Sequence, residues 1–236
     1  MSVSQRGIKK EILTLLDGGD IAAIQQSLLR YPPEKLLNPL FSAICSVSEK
    51  TRWHGIVAMG ATVARLAEAD MEAARVVMRR FMWSLNDESG GIGWGAPEAM
   101  AECLARHQGL AGEYTHILVS FMREDGFYLE LPSLQRGLMW GLARLAATRP
   151  ELLLQWQAPR HLIPYLASED PAVRGQAALA LGRLQAREAL PEIRRLTCDP
   201  ALFSLYREDR LLCVPVGLLA GEALACLDTP KALKNP

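Results

Sequence analysis

The residues most able to do chemistry are gathered in one stretch, Trp83 to Glu102, which reads WSLNDESGGIGWGAPEAMAE. Asn86, Asp87 and Glu88 close a helix-like segment. Gly90, Gly91, Gly93 and Gly95 follow, with Ile92 and Trp94 between them, and Pro97 and Glu98 open the next helix. Glycines at this density expose backbone N–H groups, the two indoles offer flat apolar faces, and the three carboxylates of Asp87, Glu88 and Glu98 offer charge. That combination describes a binding loop. The same residues also make a tight inter-helix connection, with glycines ending one helix, Trp94 filling a gap and Glu98 answering the positive end of the next. Both readings stand at this point. His54, beside Trp53, is placed at a helix start from which it faces the acidic loop. With Asp87 and Glu88 it makes the one acid/base cluster an enzyme would have.

The chemistry that needs more than this is absent from the pattern. Asp87-Glu88-Ser89-Gly90-Gly91 echoes the nucleophile segment of serine proteases, but no base and orienting acid accompany it on a suitable scaffold. The glycines follow no strand, and no glycine-rich segment ends in Gly-Lys-Ser or Gly-Lys-Thr. With no His-x-x-x-His or Cys-x-x-Cys pair, we expect no metal and no cofactor. No catalytic residue is assigned. His107, on an apolar stripe near a helix end, reads as a hydrogen-bonded structural histidine.

A second set comes from self-comparison. Val173, Ala177, Ala180, Leu181 and Leu184 form the apolar stripe of an amphipathic helix that Asp170 can cap and Pro171 can start. The stripe recurs from Val216, Leu134, Ala96 and Gly55, so its successive starts at 55, 96, 134, 173 and 216 are spaced by 41, 38, 39 and 43 residues. A spacing near 40 marks a two-helix repeat. Positions 178 and 182 and their equivalents are small in almost every copy (Gly60 and Ala64, Ala101 and Ala105, Gly221 and Ala225), which lets a neighbouring helix approach closely. In the same register Arg65, Arg106, Arg144 and Arg183 are equivalent, with Cys226 in the last copy. Stacking would line the four guanidinium groups along one edge. They either suit helix C-terminal turns or make a stripe for phosphates or acidic side chains.

First helices fall between these at Pro33–Ser46, Met71–Leu85, Leu110–Met122, Leu152–Leu166 and Glu188–Leu196, the fourth broken near Gln157-Ala158-Pro159. Gly7–Leu16 and Ile21–Leu29 form an N-terminal cap. Phe203–Arg210 reads as an insertion in the last repeat, Leu211–Leu227 as a buried helix, and no run alternates with period two long enough to argue for a sheet. The expectation is an all-α superhelix of about five helix pairs in a single repeat domain over 1–236, with the cap at 1–32, the repeats at 33–228 and a tail at 229–236.

Asp170, Val173, Arg174, Ala177, Ala180, Leu181, Gly182, Leu184 and Pro191 match the pattern of the HEAT-like repeat of phycocyanobilin lyases, which this segment resembles strongly and Leu211–Leu227 moderately. The acidic, glycine-rich loop is also similar to one in certain bacterial HEAT-repeat proteins. The resemblance implies an α-α superhelix whose concave face binds another macromolecule. It does not carry a lyase activity, since unrelated functions share the repeat.

Bulk composition narrows the partner. Lys+Arg and Asp+Glu are both 26, divided 12 against 13 up to residue 118 and 14 against 13 after it. Neither half carries the charge excess that steers a protein to nucleic acid or an anionic membrane. Five cysteines without a close pair, and a polar Met1–Lys10, read as a reduced cytoplasmic protein with buried thiols. A protein or peptide partner bound by a non-catalytic scaffold is the leading expectation. A HEAT-like DNA-binding or glycosylase-type protein and a chromophore or cofactor lyase are the alternatives. Trp83, Asn86, Asp87, Glu88, Trp94, Glu98 and His54 are the binding candidates, and the four arginines are a candidate anion edge.

Overall fold

The computed structural model describes residues 5–86 and 93–229. Asp87 and Glu88, with Gly90, Gly91 and Ile92, lie outside the described residues, as does most of the expected tail. The chain opens with α1 (Gln5–Gly18) and α2 (Ile21–Leu28). Helix pairs follow: α3 (Pro33–Ile44) with α4 (Glu49–Ala69), α5 (Met71–Ser84) with α6 (Ala96–Arg106), and α7 (Gln108–Ser120) with α8 (Pro132–Thr148). In the fourth pair the first partner is broken into α9 (Pro150–Gln155), α10 (Ala158–Leu162) and a 3-10 turn at Ile163–Ala167, ahead of α11 (Pro171–Arg183). Gln157, at φ 54°, makes the break that Pro159 enforces. The last pair is α12 (Leu190–Leu196) and α13 (Val216–Asp228), with β1 (Leu202–Arg207) and β2 (Arg210–Pro215) inserted between them.

Local chemistry sets the helix starts. Asp20, Ser48, Asp70, His107 and Asp170 each accept a hydrogen bond from a first-turn amide, and Pro33, Pro97, Pro132, Pro150 and Pro171 stand at first-turn positions where no amide is needed. Three second helices pass into the next first helix through a single non-helical residue. These are Asp70, His107 and Arg149, at φ −150°, −130° and −141°. A one-residue corner fixes the angle between consecutive helices, so each repeat is placed on the last by its backbone as well as by its core.

The second helices α4, α6, α8, α11 and α13 pack side by side in sequence order. Their small residues permit it. A Cβ on Gly182 would fall 2.6 Å from that of Ala223, and one on Gly141 the same distance from that of Ala101. Leu66, Leu104, Leu145 and Leu181 lie between the helix layers, wholly buried. The face of the second helices that carries Trp53 and Trp140 is concave. Trp53 of α4 and Trp140 of α8 meet in front of α6, with ring centroids 4.8 Å apart, although α6 separates the two helices in the stack.

Four expectations need correction. Residues 202–215 form an antiparallel hairpin, in register from Leu202↔Pro215 to Arg207↔Arg210, so the apolar stretch from Leu211 is a strand before it becomes a helix. The α4 helix begins at Glu49, which puts His54 in its second turn and not at its start. Asn86 lies beyond the end of α5, whose C-cap is Leu85. Of the five thiols only Cys103 is buried; Cys45, Cys198 and Cys213 are exposed and Cys226 is intermediate.

Candidate functional site

The hairpin is the element that shapes the inner face. Gly217 N–H donates to Asp199 O at 3.0 Å and Val216 N–H to Ala201 O at 3.0 Å, which tie its two ends together beside α13. Arg207 makes two hydrogen bonds to the Glu222 carboxylate of α13 at 2.7 and 2.9 Å. The Phe203 ring lies against Gly175 of α11, and the Trp140 indole N–H of α8 donates to Tyr206 O at 3.0 Å. Tyr206 then stacks on Trp53 of α4, centroids 4.7 Å apart and planes within 3°. The hairpin therefore lies across four of the second helices.

Two adjoining cavities result, with Trp140, Gln176 and Tyr206 lining both. The first, of about 460 Å³, is bounded by the N-terminal turns of α4, α6, α8 and α11 and by β1. Trp53, Trp94 and Trp140 give it aromatic walls. Its charged lining is Glu49, Arg52, Glu98, Arg136 and Asp170. Arg52 pairs with Glu49 at 3.2 Å, and Arg136 pairs with Asp170. Glu98 is 9% exposed and makes no ion pair among the described residues. Burial pushes its carboxyl up to about 7, against the weaker opposing pull of its own backbone N–H and of Arg52. Space for that carboxylate exists because Gly137 of α8 lacks a side chain: a Cβ there would overlap it, falling 2.6 Å from Oε1. Glu102, one turn on, is accommodated in the same way by Gly60 of α4, where a Cβ would lie 2.5 Å from its Cγ.

Trp94 and Gly95, in the part of the glycine loop that is described, line this cavity from one side. Gly93 and Gly95 adopt φ of 67° and 74°, and a Cβ on Gly93 would stand 2.5 Å from Ser84 O. A side chain at either position would be strained twice over. That conformation carries Trp94, 41% exposed, to the cavity wall, and its carbonyl accepts from the Cys45 thiol at 3.7 Å.

Trp94 and Glu98 thus meet at one site, together with Trp53 and Trp140, which sequence reasoning did not select. Trp140 carried a signal. It stands where the other repeats have Ala61, Glu102, Leu179 and Glu222, an indole among smaller or charged side chains. Trp83 is exposed in the last turn of α5, and Asn86 is exposed just beyond it. His54 is buried, with Nδ1 2.7 Å from Leu16 O, which fastens α4 to α1. His107 caps α7, its Nδ1 accepting from Leu110 N–H at 3.1 Å.

The arginines divide. Arg106, Arg144 and Arg183 line the second cavity, of about 350 Å³, with Arg207, while Arg65 sits in a separate groove against α2 and donates to Tyr31 O at 2.7 Å. Glu102, almost wholly buried, bridges Arg106 at 2.6 Å and Arg144 at 2.8 Å. Arg183 donates to Ala143 O at 2.6 Å, and burial lowers its pKa, with Arg207 adding to the effect. Among the described residues no group of three His, Cys, Asp or Glu is placed to hold a metal, and no helix is long and apolar enough to cross a membrane.

Comparison with solved structures addresses the fold. A designed armadillo repeat protein superposes with a TM-score of 0.57 at 18% identity, covering 94% of this chain and 92% of its own. The fold is an armadillo/HEAT-like repeat solenoid. A second designed armadillo protein, in complex with the peptide (KR)4, matches the solenoid with a TM-score of 0.56 at 16% identity, over 93% of this chain and 91% of its own. A further design, made for modular peptide recognition, gives 0.54 at 18% identity, covering 94% of this chain and 92% of its own. No protein-family model matches the sequence, and no curated protein matches it either.

Proposed function

We propose that this solenoid is a non-catalytic interaction module that takes a peptide or protein segment into the groove bounded by α4, α6, α8, α11 and the hairpin. The observation that carries the reading is the gathering of Trp53, Trp94, Trp140 and Glu98, drawn from three successive repeats, around one open cavity of about 460 Å³. Aromatic walls with a few placed polar groups are what recognition sites use, because large rigid rings bury area at little entropic cost. Arg52, Arg136 and Asp170 are held in ion pairs at its rim, which suits them to orienting a ligand more than to moving protons. The designed armadillo neighbour in complex with (KR)4 supports this architecture as a peptide holder. Five cysteines without a disulfide among them support placement in the cytoplasm.

The test compares affinity capture by wild type and by a folded Trp94→Ala, Glu98→Ala double variant. A specific protein retained by wild type and lost by the variant is the expected result. Equal capture by both would move the binding surface away from this groove.

A further inference from the structure

We infer that the groove receives a single cationic side chain, a lysine or arginine of the bound segment, whose charge is met by Glu98 and whose stem lies among Trp53, Trp94 and Trp140. The inference rests on the groove reading above and names the chemistry of its occupant.

Charge accounting leads to it. Among the described residues the cavity lining carries three carboxylates and two guanidinium groups. Glu49 is matched by Arg52 and Asp170 by Arg136, which leaves Glu98 as the surplus. The neighbouring carboxylate on its own helix, Glu102, is committed to Arg106 and Arg144. Glu98 is more than nine-tenths buried, lines the cavity, and is given its room by Gly137. An unbalanced buried carboxylate is costly, and a ligand that supplies the missing positive charge removes the cost.

The aromatic walls point the same way, since indole faces attract a cation and cover the apolar stem of a lysine or arginine. An anionic occupant is disfavoured. The helix N-termini at this end attract anions, but Asp170 already caps α11 and Glu49 and Glu98 stand in the first turns of α4 and α6. An added anion would meet those three carboxylates.

Protonation supplies the signature. The Glu98 carboxyl, pushed up to about 7, is largely protonated at pH 6 and ionised at pH 8. A lysine or arginine stays charged across that range. Binding through Glu98 therefore tightens about tenfold from pH 6 to pH 8, the linkage expected for one proton lost on association.

The experiment is selection of a random heptapeptide display library at pH 8 against wild type and Glu98→Gln, a near-isosteric change, with the recovered peptides then titrated at pH 6 and pH 8. The expected result is enrichment of lysine or arginine at one position with wild type and its loss with Glu98→Gln. Replacing that residue by norleucine or citrulline in the peptide should weaken binding to wild type at least tenfold, a readout independent of how the variant folds. Peptides recovered equally by both proteins, or lacking a basic position, or binding without pH dependence, overturn the cationic occupant and leave the groove reading standing. Recovery of no peptide by wild type removes the groove reading, and this inference with it.

Discussion

The ring of Tyr206, next to the hairpin tip, lies flat on the indole of Trp53 in the first repeat, 4.7 Å away. One contact thus joins the last inserted element to the beginning of the stack and closes the inner groove. In most solenoids each repeat touches only its neighbours, so a contact between distant repeats ties together units that otherwise act in sequence.

That tie is measurable as a coupling. Tyr206→Leu and Trp53→Leu should each destabilise the protein. The double variant should lose less than their sum by about 0.5–1.5 kcal/mol, the range for stacked aromatic pairs. Urea unfolding of the four proteins gives the cycle, and strict additivity would mean that the stacking contributes only buried area.

Gly137→Ala is expected to displace the Glu98 carboxylate, which its Cβ would overlap. Because that carboxylate is the far end of a flexible side chain, the change should cost no more than about 1 kcal/mol. In a Glu98→Ala background it should stabilise by about 0.5–1 kcal/mol, as Ala does over Gly in a helix. Thermal unfolding of the single and double variants checks this.

Stability should fall with rising pH on account of Glu98. Its folded carboxyl lies near 7, above its unfolded value of about 4.3, so the folded chain holds a proton that the unfolded chain has released. The contribution is complete below pH 4 and is lost as pH climbs through 7. It amounts to roughly 3.5–4 kcal/mol at most, at 1.36 kcal/mol per unit. Unfolding free energies of wild type and Glu98→Gln at pH 5 and pH 8 should diverge in that direction. A difference independent of pH would show that the carboxyl titrates normally.

Glu102→Gln should destabilise by about 1.5–3 kcal/mol, the usual value for hydrogen bonds to a charged group, because Arg106 and Arg144 both depend on it. Adding Arg144→Met should recover part of the loss by removing a stranded cation. Denaturant midpoints of the two variants decide it.

Apolar periodicity, small residues and caps were enough to read the helix pairs, because each depends on neighbours within a few turns. Asp170 caps α11 and Pro159 breaks the fourth first helix, as their own chemistry requires. The hairpin was not legible for the same reason. Its turn places Glu208 and Asp209 at φ 49° and 61°, where Asn-Gly would have announced it, so contacts to Trp53, Trp140 and Glu222 must hold a conformation its residues do not favour. The α4 start was misjudged because the repeat stripe begins six residues inside the helix that Ser48 caps.

Trp94 and Glu98 could be singled out from an anomalous stretch of sequence, since they stand close together in it. Their meeting with Trp53 and Trp140 could not. That meeting depends on how far each helix pair rotates on the last, a sum of one-residue corners and close approaches at small side chains that no single repeat encodes. The sequence by itself determined the repeats and the burial of their stripes. Only the tertiary structure decided the groove, because curvature accumulates over the stack and the hairpin that walls it draws its hold from repeats far away along the chain.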